Sequence, residues 1–335
     1  LQPLMADNNG GMVFGTTPIL ATKLYLKSFV NGSPVIETVA ATPTTSVTTK
    51  VTGNLNNFGV PGAKSFHLIT PGYGNAAGIL AGTANPYYVR FSSSTTSTVA
   101  DDAANRNPTF FSLWIGNNDV LSYATTGGSG VNQATNTNPA TYGSNDISSP
   151  TVVAASIQSV LEKLKAKGAT KGVIANIPYV TSLPFFTTVP YNPLTPAALG
   201  SNITALNTQI YGPLKQVLTA LGDGDRINLL SSTSNNPVLI KDLSLTDRSA
   251  QITAALTPSI GVAAATLYGI NFGQARQATP EDYILLSTRA VIGTTAPASP
   301  TTPAGLNVYG VSYPLQNQHV LSKTEAANVK NETDA

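Results

Sequence analysis

The hydrophobic and polar positions along the chain predict a strand–helix–strand unit near its middle. Phe110–Ile115 has five apolar residues out of six and no polar alternation, which favours a short strand buried on both faces. Gly172–Pro178 is a second run of this kind. Strands joined through a helix lie parallel with a right-handed crossover, so we expect these two to be neighbours in a parallel sheet.

The segment between the two strands carries the clearest helix signal. Ser149 suits the N-cap and Pro150 the first helical position, while Gly168 marks the end. Apolar residues recur at helical spacing, and lysines gather near the C-terminal end, where the helix dipole favours cations: Val153, Ile157, Val160, Leu161 and Leu164, with Lys163, Lys165 and Lys167. We therefore predict one helix between Pro150 and Gly168.

The pattern changes after residue 183. A further helix is predicted over Ile203–Leu221, with a kink at Pro213, and Arg226–Leu230 and Pro237–Ile240 are predicted as short strands. Ser122–Ser149 is predicted as a long polar loop, either a lid over a site or plain surface. We divide the chain into a core over 1–183, an inserted helical and irregular subdomain over 184–314, and a return to the core over 315–335. The fold class is α/β.

Composition narrows the classes of function. Only 10% of the 335 residues are charged, against about 25% in an average soluble domain, and a surface of hydroxyls and amides suits a secreted or periplasmic protein. A net charge of +2 without basic blocks gives no case for nucleic acid. The chain has no cysteine and only two histidines, so neither a thiolate nor a histidine-rich metal site is expected.

Two short motifs carry the candidate chemistry. Gly116-Asn117-Asn118-Asp119 follows the first apolar strand, and ligands of open parallel sheets bind beyond the carboxyl ends of the strands. The amide of Asn118 could stabilise a developing alkoxide, and Gly116 permits a sharp turn beside it. Upstream, Asn56–Ser65 is a tight turn with two glycines, Gly59 and Gly62.

These motifs resemble those of the SGNH, or GDSL-type, serine hydrolases. Gly116-x-Asn118-Asp119 resembles the third sequence block of that family, and "NFGVPGAKS" resembles the second, with Gly62 the better match to its oxyanion-hole glycine and Gly59 the alternative. "GVIANIPYVTSLPFF" resembles the next strand and its exit. "QPLMADNNGG" and "FGQARQATPEDYILL" are similar to a secreted, lipoprotein-like bacterial branch.

The resemblance implies a fold, an activity and a location. The fold would be a three-layer α/β/α sandwich with a flavodoxin-like parallel sheet of strand order 2-1-3-4-5. The activity would be hydrolysis of carboxylic esters, as an esterase or lipase, by a serine nucleophile without metal or organic cofactor. Asn118 and Gly62 would form the oxyanion hole, with Asp119 structural. Location would be secreted, periplasmic or attached to the bacterial outer membrane. The substrate stays open between lipids, short acyl esters and acetylated glycans.

Two blocks of the family are not found in this chain. The Gly-Asp-Ser or Gly-Asn-Ser block is expected upstream of Leu1, and the Asp-x-x-His block downstream of Ala335; a lipid anchor upstream of Leu1 would allow attachment to a membrane surface. The chain therefore looks like an internal fragment that is inactive and unstable by itself. The alternative is a non-catalytic extracellular protein that binds glycans or lipids on the same scaffold.

The remaining candidate residues have ordinary structural explanations. His67 is predicted as a half-buried, satisfied histidine. His319 has Gln316 instead of an acid three residues before it, so it is not expected to be a catalytic base. Trp114 is predicted as a core residue of the strand. Gly222–Asp225 lacks the repeated oxygen ligands of a calcium loop and is predicted as a helix-ending turn.

Overall fold

The computed structural model describes residues 8–30, 33–303 and 305–335, so most of the Gln2–Gly11 run lies outside the described residues. The chain forms two compact units. The first comprises Leu1–Asp119 and Thr151–Ile177, and the second Val120–Pro150 and Pro178–Ala335. Residues 120–150 thus group with the C-terminal part of the chain, whereas the sequence-based division placed them in the core over 1–183.

The first unit holds two antiparallel hairpins, two short helices and a parallel strand pair with its helices. In chain order its elements are β1 (Met12–Phe14), β2 (Thr17–Leu20), β3 (Leu24–Val30), β4 (Ser33–Thr38), α1 (Pro86–Val89), α2 (Val99–Ala104), β5 (Phe110–Leu113), α3 (Asn117–Thr125, which continues into the second unit), α4 (Pro150–Ala166) and β6 (Lys171–Ile174). β1 pairs with β2, β3 with β4, and β5 with β6.

The predicted strand–helix–strand unit is confirmed. β5 and β6 are parallel, with Phe110 opposite Lys171 and Leu113 opposite Ile174, and α4 lies between them in the chain. One face of α4 is buried and packs with α2 and the inward face of β5, because its apolar residues recur at helical spacing; the buried members of this core are Ala63, Leu68, Tyr73, Tyr88, Phe91, Val99, Ala100, Ala104, Val160, Leu164 and Ala169.

The expectation that both strands are buried on both faces is wrong. β5 alternates, and the side chains that point away from the core are exposed, Phe110 by 58% and Trp114 by 64%. Trp114 is therefore not a core residue, and all four residues of β6 are exposed. The physical reason is that, among the described residues, no element covers the outer face of β5, so the side chains on that face meet solvent.

The second unit is mainly helical, with two antiparallel strand pairs. Its elements are α5 (Pro184–Thr187), α6 (Pro196–Leu199), α7 (Asn202–Leu206), a π-helical stretch (Asn207–Tyr211), α8 (Gly212–Ala220), β7 (Leu239–Lys241), α9 (Ser249–Ile260), α10 (Val262–Phe272), β8 (Ala275–Gln277), β9 (Tyr283–Ile284), β10 (Val320–Leu321) and α11 (Lys323–Asp334). β7 pairs with β8, and β9 with β10. The sheets of the described residues are thus small, and the observed class is mixed α/β.

The helix predicted over Ile203–Leu221 forms, and its regular α-helical hydrogen bonding changes just before Pro213. Pro213 has no N–H to donate to the carbonyl of Gln209, four residues earlier. The helix passes through a π-helical stretch just before it, and the hydroxyl of Tyr268 donates to the released carbonyl of Gln209 at 2.8 Å. A partner from α10 thus satisfies the group that the proline leaves unpaired.

Arg226–Leu230 does not form the predicted strand, while Pro237–Ile240 overlaps β7. Two backbone N–H groups of the first segment bond to side-chain amides and not to a neighbouring strand. Asn228 N donates to Oε1 of Gln277 at 2.9 Å, and Leu230 N donates to Oδ1 of Asn207 at 2.8 Å. These contacts come from residues far apart in the chain, so no local pattern could have indicated them.

Asp282 links a buried arginine of the second unit to its C-terminal helix. Nη1 and Nη2 of Arg276 both lie 2.6 Å from the two carboxylate oxygens of Asp282, and its Nε lies 2.7 Å from Oδ2 of Asp242. All three residues are buried. Asp282 also accepts the backbone N–H of Lys323, at the start of α11. Within the described residues, no helix is both long and apolar enough to cross a membrane.

Candidate functional site

The site begins where β5 ends and α3 starts. Gly116 adopts φ +108°, a conformation that side-chain-bearing residues rarely adopt. A Cβ on Gly116 would also lie 2.4 Å from Cδ1 of Ile177. The positive φ is the constraint that favours glycine here, because the end of the Ile177 side chain can move away from a Cβ. The turn places Asn117 and Asn118 in the first turn of α3.

The structure brings Asn118 together with the Gly62 turn, although the two are far apart in sequence. Nδ2 of Asn118 donates to the carbonyl oxygen of Ala63 at 2.9 Å, and Ala63 directly follows Gly62. An amide nitrogen carries two N–H groups, so the bond to Ala63 fixes the side chain and occupies one of them. The two residues predicted as oxyanion-hole donors therefore lie at one place, at the carboxyl end of β5.

The two candidate glycines of the upstream turn differ in how their N–H groups are used. The N–H of Gly59 donates to Oδ1 of Asn57 at 2.8 Å. Gly62 adopts φ +77°, and its N–H has no hydrogen-bond acceptor among residues 8–30, 33–303 and 305–335. The N–H of Gly62 is thus the one left for a bound group.

Asp119 holds the start of α3 against the same turn. It is 1% exposed, and it accepts the backbone N–H of Ser65 at 2.8 Å on Oδ2 and the hydroxyl of Ser65 at 2.9 Å on Oδ1. Ser65 is itself fully buried. Charge-assisted bonds of this kind are short and strong, so Asp119 and Ser65 position Asn118 relative to Gly62. Sequence reasoning missed Ser65 as this partner.

Replacing Ser65 with alanine should lower the free energy of unfolding by about 2 kcal/mol, because a buried hydroxyl bonded to a carboxylate is lost. Ser93→Ala is the matched control. Ser93 makes the same pair of bonds to Asp102 through its N–H and its hydroxyl, but it is exposed, so its loss should cost well under 1 kcal/mol. Chemical denaturation measures both, and equal losses would contradict the assigned role of Ser65.

A cavity of about 940 Å³ runs along the side of β5. Residues 106–118 form one wall, and the turn over residues 56–63 forms another. Its floor is apolar and includes Leu68, Val160 and Leu164. The bond between Asn118 and Ala63 connects the two walls, so both candidate donors belong to this cavity.

The side-chain amide of Asn117, which adjoins Asn118, has an unsatisfied acceptor in the same cavity. Oδ1 of Asn117 is buried and accepts no hydrogen bond from the residues that the structure describes, and Asn117 lines the cavity. Buried side-chain acceptors nearly always have a donor. A donor supplied by whatever occupies the cavity would satisfy it.

His67 stands beside the turn in a structural role, as predicted. Its ring is half-buried and stacks on Tyr73 at 4.5 Å with an interplanar angle of 10°. Its Nδ1 accepts the backbone N–H of Lys64 at 3.0 Å. Burial, and secondly the positive charge of Lys64, lower the pKa of His67 to about 4, so the imidazole is neutral at physiological pH.

This histidine should make the protein less stable in mild acid. Because its folded-state pKa is below the unfolded value of about 6.5, its contribution is fully present above pH 6.5 and is lost as pH falls towards 4, by up to about 3 kcal/mol. Chemical denaturation across that window measures the loss. His67→Phe keeps a ring but cannot titrate, so it should flatten the slope, and an unchanged slope would contradict this prediction.

The other sequence candidates lie in the second unit. The pKa of His319 is lowered by burial, and its ring packs edge-on against Tyr309. Nε2 of Gln316 donates to the carbonyl of Pro314, so this amide does not orient the imidazole. The turn after α8 does end the helix, and its Asp223 pairs with Arg226 and Arg248.

Comparisons with known proteins give no further assignment, because no family model, curated protein or solved structure matches this chain.

Proposed function

We propose that this chain carries the oxyanion hole of a serine ester hydrolase of the SGNH type. The observation that carries the proposal is the bond from Nδ2 of Asn118 to the carbonyl of Ala63. Ala63 directly follows Gly62, and Asn118 and Gly62 both line the cavity, which supports a shared role for their two donors. Two such donors aimed at one point would stabilise the oxyanion of a tetrahedral intermediate.

The hydrogen bonds of the turn favour Gly62 over Gly59 as the backbone donor. The N–H of Gly59 is already bonded to Asn57. The two hydrogen bonds from Ser65 to Asp119 support the assignment, because they hold the start of α3 against the Gly62 turn. Such preorganised donors need no rearrangement as charge develops, which is the physical source of their effect on the barrier.

The reaction would follow from a serine placed at the same end of the cavity. Its hydroxyl oxygen would attack the ester carbonyl while a histidine accepts its proton. The carbonyl oxygen would take up the charge and accept hydrogen bonds from Gly62 and Asn118. The alcohol would then leave with that proton, and water would release the acid from the serine.

In this proposal the serine, the histidine and its acid lie outside these 335 residues. The resemblance implies that the serine lies at the end of a further strand. That strand would pair beside β5 and would complete a three-layer sandwich. Among the described residues β5 has one strand neighbour, which supports the missing strand. The exposed outer side chains Phe110 and Trp114 support the missing layer, because parallel sheets are normally covered on both faces. The donor missing for Asn117 supports an occupant of the cavity.

The test is a reaction of the whole protein with a fluorophosphonate, followed by peptide mass spectrometry, beside an assay of short acyl esters, lipid esters and acetylated sugars. We expect one labelled serine and hydrolysis of at least one ester class. Absence of both labelling and hydrolysis would reject the proposal and favour the alternative, a non-catalytic protein that binds glycans or lipids.

A further inference from the structure

The hairpin of β3 and β4 has one apolar and one polar face. Leu24 and Leu26 are two residues apart, so they point to the same side, and Leu26 lies opposite Ile36 in the register. Phe29 would point to the other side at regular spacing. A bulge between Leu26 and Ser28 adds one residue to β3 and returns Phe29 to the apolar face.

The apolar face is uncovered by the described residues. Leu24, Leu26, Phe29 and Ile36 are between 53% and 67% exposed. Scattered exposed apolar residues are ordinary, but a contiguous patch of them indicates an interaction surface. The patch arises from the bulge, since an unbulged strand would divide these side chains between the two faces.

The opposite face carries Val35 together with the charged groups of the hairpin, and these charged groups pair with each other. Nζ of Lys27 lies 2.7 Å from Oε1 of Glu37, and the hydroxyl of Tyr25 donates to Oε2 of the same carboxylate at 3.4 Å. With Lys23, the segment 23–38 holds two lysines and one glutamate, and so carries one net positive charge. The hairpin is therefore amphipathic, with a slight positive charge.

We propose that this hairpin lies in the surface of a lipid bilayer with its apolar face among the acyl chains. The small size of the patch favours a lipid bilayer over a second copy of this chain as the partner. A stable protein interface needs about 800 Å² and 20–30 residues from each partner, which four side chains do not supply. Insertion into a lipid surface has no such minimum area, because each apolar side chain buried among the acyl chains contributes separately, and the net positive charge adds attraction to anionic headgroups.

The experiment is cosedimentation of the whole protein, free of any acyl modification, with vesicles of phosphatidylcholine alone or mixed with an equal share of phosphatidylglycerol. The variant Leu26→Ser/Phe29→Ser removes half of the patch from exposed positions. Leu80→Ser is the matched control, because Leu80 is 72% exposed and lies in the same unit but outside the hairpin. Thermal melting verifies that both variants fold, and Leu24→Ser is the second test variant.

We expect wild type and Leu80→Ser to bind the mixed vesicles equally, and the double variant to bind them about 100-fold more weakly, given about tenfold for each apolar side chain inserted. Leu24→Ser should bind about tenfold more weakly. No vesicle binding by the wild type, or equal binding by the double variant, would overturn the proposal. So would a lipid-free dimer that the double variant abolishes, which would make the patch an interface between copies. The result is independent of ester hydrolysis.

Discussion

Asn118→Ala in the whole protein should lower kcat for ester hydrolysis by a factor of about 100 to 1,000. Removing one oxyanion-hole donor typically has this effect, because the lost hydrogen bond acts on the charge of the transition state. KM should change much less, since the neutral carbonyl of the bound substrate gains little from the same donor. Steady-state kinetics on a soluble ester measures both constants.

The matched control is Asn117→Ala. This adjacent amide lines the same cavity, but its described feature is a buried acceptor and not a donor towards the turn. Its replacement should lower kcat by far less than that of Asn118. A loss below tenfold for Asn118→Ala, or equal losses for the two variants, would contradict the donor role.

Arg276→Met should lower the free energy of unfolding by about 3–5 kcal/mol, because it leaves buried carboxylates without their cation. Asp242 and Asp282 are 2% and 5% exposed, and the guanidinium contacts both. Loss of the bidentate pair should also release α11, whose first N–H bonds to Asp282. Denaturant titration measures the loss.

Arg248→Met is the matched control, because it removes the arginine of an ion pair that is less buried. Nε of Arg248 lies 2.7 Å from Asp223, and both side chains are about a quarter exposed. Partly exposed pairs contribute about 1 kcal/mol or less. Comparable losses of unfolding free energy in the two variants would contradict the prediction that burial makes the Arg276 ion pairs more stabilising.

The Arg276 effect should also depend on pH. Burial alone would raise the pKa of Asp282, but its bonds to Arg276, the positive charge and the backbone donors outweigh burial and hold the pKa below its usual value. The same holds for Asp242, with Ser244 and Arg276 as donors. A lowered pKa contributes stability above pH 4 that is lost as pH falls through the folded-state value. The difference in the free energy of unfolding between wild type and Arg276→Met should therefore become smaller below pH 4.

Local patterns predicted the elements that depend on local physics. The prediction of α4 follows from the spacing of its apolar residues, its N-terminal proline and its C-terminal lysines. The parallel pairing of β5 and β6 follows from their order in the chain alone. The exposure of Trp114 could not be predicted, because burial depends on what covers the outer face. The same limit applies to Arg226–Leu230, whose N–H groups are satisfied by Asn207 and Gln277.

The sequence indicated single residues of the candidate site but not the contacts between them. Resemblance of the two motifs indicated Asn118 and Gly62 as candidates, but the bond from Asn118 to Ala63 and the anchoring of Asp119 by Ser65 join segments more than fifty residues apart. No periodicity reports such contacts. The bulge that creates the apolar face of β3 was equally hidden, since it depends on the register with β4.

The most direct measurement is a crystal structure of the whole protein with a phosphonate bound covalently to the serine that the proposed function requires. The phosphonyl oxygen stands for the oxyanion of the tetrahedral intermediate. The proposed hole predicts that this oxygen lies about 2.7–3.1 Å from both the backbone nitrogen of Gly62 and Nδ2 of Asn118. An adduct whose oxygen contacts neither atom would contradict it.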